Sequence, residues 1–210
     1  MAHEHRMQAR RFELKYLVSH SQAEAIRGYI RPHLTLDKFS RPGNDPSYPV
    51  CSIYLDSASL ALYQQTCQGI KNRYKLRVRF YDSDPSNPVF FEIKRRETDV
   101  ICKQRAAITR DGALQMLNGA SPCRNHLFDP EESGDDLASL GSFHELCSNV
   151  GAKAVTYVSY LREAYVSPND DRLRITFDRN LTGSPVSSVP SIAIPETGCH
   201  TNVEEVVLEI

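Results

Sequence analysis

Three cations at alternate positions, Lys75, Arg77 and Arg79, interrupt the apolar residues Tyr74, Leu76, Val78 and Phe80. Successive side chains of a strand point to opposite faces, so this spacing predicts a strand with one apolar face and one wholly cationic face. Arg73 and Lys71 continue the cationic face if the strand starts early. Neighbours on it lie roughly 7 Å apart and repel by about 2 kcal/mol per pair at an effective dielectric near 20, against about 0.6 kcal/mol in bulk water. A solvated face tolerates that repulsion, whereas an enclosed one needs a counter-ion.

The pattern recurs. Glu92, Lys94 and Arg96 alternate with Phe91 and Ile93, Lys103 is two residues from Arg105, and Tyr160 is two from Arg162. Arg172, Arg174, Thr176 and Asp178 alternate with Leu173, Ile175 and Phe177, and Lys15 adds a cation near the start. Solvated faces would be cheaper with mixed signs, because opposite charges attract across strands. Instead the net charge of −1 hides a segregation. From Gly69 to Arg110 eleven cations face five carboxylates, a balance of +6 that leaves −7 for the rest. Charge divided in this way speaks of partners rather than of fold. Converging guanidinium and ammonium groups call for an anion, and a phosphate chain offers the charge density and the oxygen geometry that arginine grips in pairs.

The elements that must position these residues are mostly strands. Arg11–Val18 alternates with Phe12, Leu14 and Tyr16 on one side, and Ser19 or Ser21 caps a helix through Ala23, Ile26 and Ile30. Strands are expected over Val50–Leu55, Tyr74–Tyr81, Val89–Arg95, Val100–Ile108, Val155–Val166, Leu173–Asp178 and Val203–Ile210. Short helices are expected after Asp56 or Ser57, over Thr109–Asn118 and over Leu140–Asn149, with Ser184–Thr201 a Pro/Ser-rich excursion. Many strands joined by hairpins predict an α+β domain, mainly antiparallel β, closed or nearly closed into a barrel with peripheral helices. With 210 residues, 40% of them hydrophobic, one domain over 1–210 is expected. Six scattered cysteines without metal or redox spacing read as reduced thiols, and no apolar run reads as a signal or a membrane span. A cytoplasmic protein follows from that reading.

The motifs Arg11-Phe12-Glu13-Leu14-Lys15-Tyr16, Tyr74-Lys75-Leu76-Arg77-Val78-Arg79, Phe91-Glu92-Ile93-Lys94, Tyr160-Leu161-Arg162-Glu163-Ala164, Arg174-Ile175-Thr176-Phe177-Asp178 and Val207-Leu208-Glu209 occur in the order found in VTC domains. In this respect the chain resembles the polyphosphate polymerase domains of the vacuolar transporter chaperone complex and their bacterial relatives, within the triphosphate tunnel metalloenzyme superfamily. The resemblance implies a tunnel with basic walls that binds ATP and Mn²⁺ or Mg²⁺ and moves the terminal phosphoryl group onto inorganic polyphosphate. It further implies phosphate contacts from Lys15, Arg77, Arg79, Lys94, Arg162 and Arg174, with Lys103 and Arg105 at further basic positions. Tyr160 would position a phosphate, Glu209 would hold the metal, and Glu13 would touch it. A membrane-associated protein partner is implied as well.

Two features depart from the pattern. Arg11 replaces the first carboxylate of the superfamily's Glu-x-Glu-x-Lys strand, which leans away from two-metal hydrolysis. The family's last strand continues as Glu-x-Lys, whereas the sequence ends at Glu209-Ile210, so the end of the family's C-terminal region is expected to be missing. His3 and His5 could bind metal but read as an incidental N-terminal pair, and neither a nucleophile elbow nor a phosphate-cradling glycine loop occurs. The alternatives are a tunnel triphosphatase and a non-catalytic polyphosphate or inositol-polyphosphate binding module. Nucleic acid is disfavoured as a partner, because the strands lack the interleaved aromatics of a single-strand stacking surface.

Overall fold

Strict period-two segments become strands and capped segments become helices. The computed structural model describes residues 13–40, 43, 45–98, 100–131, 134–168, 173–186, 190–194, 199–200 and 204–210. Its strands are β1 (Lys15–Val18), β2 (Thr35–Leu36), β3 (Tyr48–Asp56), β4 (Arg73–Phe80), β5 (Val89–Glu97), β6 (Val100–Ile108), β7 (Lys153–Val166), β8 (Arg174–Pro185), β9 (Cys199–His200) and β10 (Val206–Glu209). The helices are α1 (His20–Ile30), α2 (Ala61–Cys67), α3 (Arg110–Leu117) and α4 (Gly134–Val150).

All ten strands join one sheet in the order β1-β10-β8-β7-β3-β4-β5-β6, with β2 added to β7 and β9 to β8. Every pairing is antiparallel. The outer face is apolar. Ile53, Leu76, Val78, Phe80, Phe91, Ile93 and Ile108 pack there with Leu140 and Phe143 of α4 and Ala113 of α3. Ala23 and Ile30 of α1 pack on Ile175, Phe177, Val206 and Leu208. Helices therefore cover one side of the sheet and leave the other, concave side to polar residues.

Local chemistry fixes the helix starts. Ser19 and Gln22 form a reciprocal capping box on α1. At α2, Asp56 accepts from the backbone N–H groups of Leu62 and Tyr63 while Ser57 Oγ accepts from Ala61, so both candidate caps serve the helix although Leu60 occupies the cap position itself. Thr109 caps α3 by accepting from Gly112.

The expectation of a mainly antiparallel α+β domain, closed or nearly closed into a barrel, holds in part: among the described residues no hydrogen-bonded ladder joins β1 to β6, and the sheet is not closed. Its ends meet through side chains instead, with Lys94 Nζ of β5 2.6 Å and 2.8 Å from the Glu13 carboxylate just before β1. The face carrying Leu14 and Tyr16 is also not core, since both residues are about half exposed. The reason is that α1 packs over β8 and β10 rather than over the strand preceding it. Strand β8 runs to Pro185, seven residues past the expected end, because the long β7 continues to pair with it beyond a register shift. Arg11, Phe12, Arg172, Val203, His3 and His5 lie outside the described residues. Among the described residues no helix is long and apolar enough to cross a membrane.

Candidate functional site

Strand register brings the alternating cations onto one face. Arg77 stands opposite Glu92 and Tyr54, Arg79 opposite Phe90 and Ser52, and Lys75 opposite Lys94. Lys94 continues to Lys103 and Glu92 to Arg105. On the other side Tyr48 faces Arg162, Arg162 faces Asp178, Thr176 faces Glu209, and Glu209 faces Lys15. Nine cations from six strands, namely Lys15, Lys75, Arg77, Arg79, Lys94, Lys103, Arg105, Arg162 and Arg174, thus share the inner face.

On the β4–β6 wall Glu92 is the hub. It is fully buried, with Arg77 at 2.6 Å, Lys103 at 2.6 Å and Arg105 at 3.5 Å. Burial alone would raise its carboxyl, but Arg77, Lys103 and Arg79 outweigh that and hold it far below the ordinary carboxylate range. Burial pushes the Lys103 ammonium the other way, down to about 8. Glu92 does not rescue it, because the like charges of Arg105 and Arg77 add to the cost of burial. This wall is therefore short of negative charge.

The opposite wall is evenly paired. Asp178 grips Arg162 in two-point fashion at 2.6 Å and 2.7 Å, and Glu209 lies 3.6 Å from the same guanidinium. Lys15 sits between two carboxylates, 2.7 Å from Glu209 and 3.2 Å from Glu13. Burial would raise the Glu13 carboxyl, but Lys94 and Lys15 bring it down to about 2.

Tyr160 lies between the walls. Its hydroxyl accepts from Arg79 at 3.2 Å, and the Arg162 guanidinium lies 5.2 Å from its ring centre. Arg79 also donates to Ser52 Oγ, and Arg77 reaches the Tyr54 hydroxyl at 3.5 Å. Arg174 is on the same face but held apart, donating to Asp37 at 2.9 Å and to the Tyr48 hydroxyl at 3.3 Å. The structure thus brings Arg77, Arg79, Lys103, Arg105, Tyr160 and Arg162 into one network through Glu92 and direct contacts. It connects Lys94, Lys15, Glu13 and Glu209 by a chain of ion pairs and sets Arg174 to one side.

Sequence reasoning missed Asp37, Tyr48, Ser52 and Tyr54. Ser52 and Tyr54 fall in the expected strand Val50–Leu55 but carry no charge that marks a face, and Tyr48 lies before its expected start. Asp37 lies in a turn with no periodic signal at all. Among the described residues, Thr176 Oγ1 and His126 Nδ1 are buried without a hydrogen-bond partner, whereas Glu92 Oε1 is met by Lys103 Nζ at 2.6 Å and by Arg105 Nε at 3.5 Å.

The family model described as VTC domain matches residues 10–210. The chain belongs to the VTC domain family. Among solved structures, this VTC domain is similar to a candidate adenylate cyclase from Bacillus halodurans, at 13% identity and a TM-score of 0.53, over 95% of this chain and 78% of that one. A candidate adenylate cyclase from Vibrio parahaemolyticus matches at 13% identity and a TM-score of 0.44, over 95% and 76%. The first likeness is one of fold. No curated protein sequence matches the chain.

The expected metal residues Glu209 and Glu13 bracket Lys15, and among the described residues no group of three or more His, Cys, Asp or Glu side chains forms a cluster. Two carboxylate donors beside a cationic wall suit a hard cation that takes its remaining ligands from phosphate and water. They do not suit a metal held by protein alone.

Proposed function

We propose that this VTC domain is a phosphotransferase that moves the terminal phosphoryl group of ATP onto a polyphosphate chain lying along the inner face. The observation that carries this reading is the convergence of nine cations from six strands on one concave face, six of them on a wall with Glu92 as its carboxylate hub. Arg77, Arg79, Lys103 and Arg105 would grip phosphate oxygens, and Lys94 would exchange Glu13 for one. Lys15 and Arg162 would approach the chain from the opposite wall, with Tyr160 orienting Arg79 and Arg174 guarding the rim beside Tyr48. Phosphoryl transfer needs alignment and neutralisation of spread charge more than a protein nucleophile, and fixed guanidinium groups in a partly enclosed site supply both. Glu209 and Glu13 would hold Mn²⁺ or Mg²⁺, which supplies further charge neutralisation at the transferring group when bound. The reading is of a cytoplasmic protein brought to any membrane by a partner polypeptide.

Incubation with ATP and Mn²⁺ tests it. Phosphatase-sensitive chains of phosphoanhydride-linked phosphate, released as orthophosphate by hot acid, are the expected product. Orthophosphate without chains would replace the reading with a tunnel triphosphatase. Polyphosphate binding with neither product would replace it with a binding module.

A further inference from the structure

Four aromatic rings gather where the cationic face meets the turn after β2. Phe39 and Tyr81 lie nearly parallel, 9° apart with ring centres 5.8 Å from each other. Tyr48 meets both, at 6.0 Å and 6.2 Å, and Phe90 abuts Tyr81 at 6.0 Å. The group is ringed by charge: Lys38 Nζ stands 5.1 Å from the Phe39 ring centre, and the Arg105 guanidinium lies 3.3 Å from that of Phe90. Phe90 is the β5 partner of Arg79, and the Tyr48 hydroxyl accepts from Arg174. The rings therefore border three cations of the inner face, Arg79, Arg105 and Arg174.

Phe39 is held rather than loosely draped. Asp37, itself buried, accepts from the backbone N–H groups of Phe39 and Ser40, from the Ser40 hydroxyl, from the Tyr48 hydroxyl and from Arg174. One carboxylate thus fixes both the turn that presents Phe39 and an arginine on the phosphate face. Yet the fixed ring remains 48% exposed. A lone exposed aromatic needs no explanation. This one is continuous with three other rings, immobilised from below and next to a site for polyanions. A flat aromatic ligand portion attached to a phosphate chain matches that combination, since ring-on-ring stacking and a neighbouring cation both favour a base over an aliphatic group.

We propose that Phe39 and Tyr81, backed by Tyr48 and Phe90, form a stacking platform for the nucleobase of the nucleoside triphosphate donor. This rests on the phosphotransferase reading and gives it a direction. The base lies at the Phe39 turn, the phosphates nearest the ribose lie beside Arg79 and Arg174, and the terminal phosphate points inward to Arg77 and Lys103. Inorganic tripolyphosphate uses the same cations but gains nothing from the platform.

The chain contains no tryptophan, so Phe39→Trp introduces the sole indole at the platform. ATP is expected to quench its fluorescence saturably, and tripolyphosphate is expected to bind by calorimetry while leaving the indole unquenched. Phe39→Ala is expected to weaken ATP about tenfold or more, the usual scale for loss of one base stack, and to leave tripolyphosphate unchanged. Equal loss for both ligands, no loss for ATP, or equal quenching by both would overturn the platform while leaving the phosphate site standing. Failure of the wild-type protein to bind either ligand would instead remove the phosphotransferase reading, and the platform with it.

Discussion

The two walls of the inner face solve the same electrostatic problem in opposite ways. The β4–β6 wall carries Lys75, Arg77, Arg79, Lys94, Lys103 and Arg105 around one carboxylate of its own, Glu92. The other wall sets Lys15, Arg162 and Arg174 against Glu13, Glu209, Asp178 and Asp37, so that cations and carboxylates are nearly matched. A matched wall needs nothing further. A wall of six cations and one hub remains in deficit, and the deficit is where an anion adds most. The difference divides the labour: one side binds the phosphate chain, and the other positions groups and offers carboxylates to a cation.

Breaking the hub is expected to have the largest effect. Glu92→Gln leaves Arg77, Lys103 and Arg105 facing one another without a buried counter-charge, and thermal or denaturant unfolding should show a loss of about 3–5 kcal/mol. On the matched wall, Asp178→Asn keeps one acceptor for Arg162 and should cost less, about 1.5–3 kcal/mol in the same measurement. An equal cost at both positions would contradict the distinction between the walls.

A subtler effect concerns protons. The Lys103 ammonium titrates at about 8 rather than the ordinary 10.5, so the unfolded chain binds that proton more tightly than the folded one. Its contribution to stability therefore rises between pH 8 and 10.5 in the free protein. A bound polyanion reverses the balance by favouring the charged form. Calorimetry at pH 8.5 in buffers of different ionisation enthalpy should show proton uptake on tripolyphosphate binding, and Lys103→Met should abolish it. The smallest expected effect is at the seam between the walls. Lowered to about 2, Glu13 stabilises the fold above its ordinary value near 4.5, and that contribution is lost as pH falls from there toward 2. Glu13→Gln should lower stability at neutral pH and flatten the acid limb over that window, so that variant and wild type converge toward pH 2.

Much of this is legible in the sequence itself, for a definite reason. Strict alternation in Tyr74–Phe80 and in Phe91–Lys94 states both the strand and the face of each residue, because the strand period is two. What alternation cannot state is which strands become neighbours. Glu92 reads as one member of a charged face, and its place as hub depends on the joint register of β4, β5 and β6. Tyr48, Ser52 and Tyr54 are hidden because none carries a charge that marks a face, and Asp37 because it lies in an aperiodic turn. The open seam is equally hidden, since alternation does not state whether the two edge strands β1 and β6 pair. Continuation of β8 through Arg179–Pro185 was masked by Gly183 and Pro185, which read as a break until the longer β7 supplies a partner.

The most direct test is the affinity of wild-type protein, Arg77→Ala/Arg79→Ala and Arg124→Ala for inorganic tripolyphosphate at one fixed salt concentration. Arg124 is an exposed arginine on the 3₁₀ turn Arg124–His126, outside the strands that carry the inner-face cations. Removal of two charge-assisted contacts should weaken binding at least about a hundredfold in the double variant, with Arg124→Ala matching wild type. Undiminished binding by a folded double variant, or an equal loss in Arg124→Ala, would show that the phosphate chain is not held by the concave cationic wall.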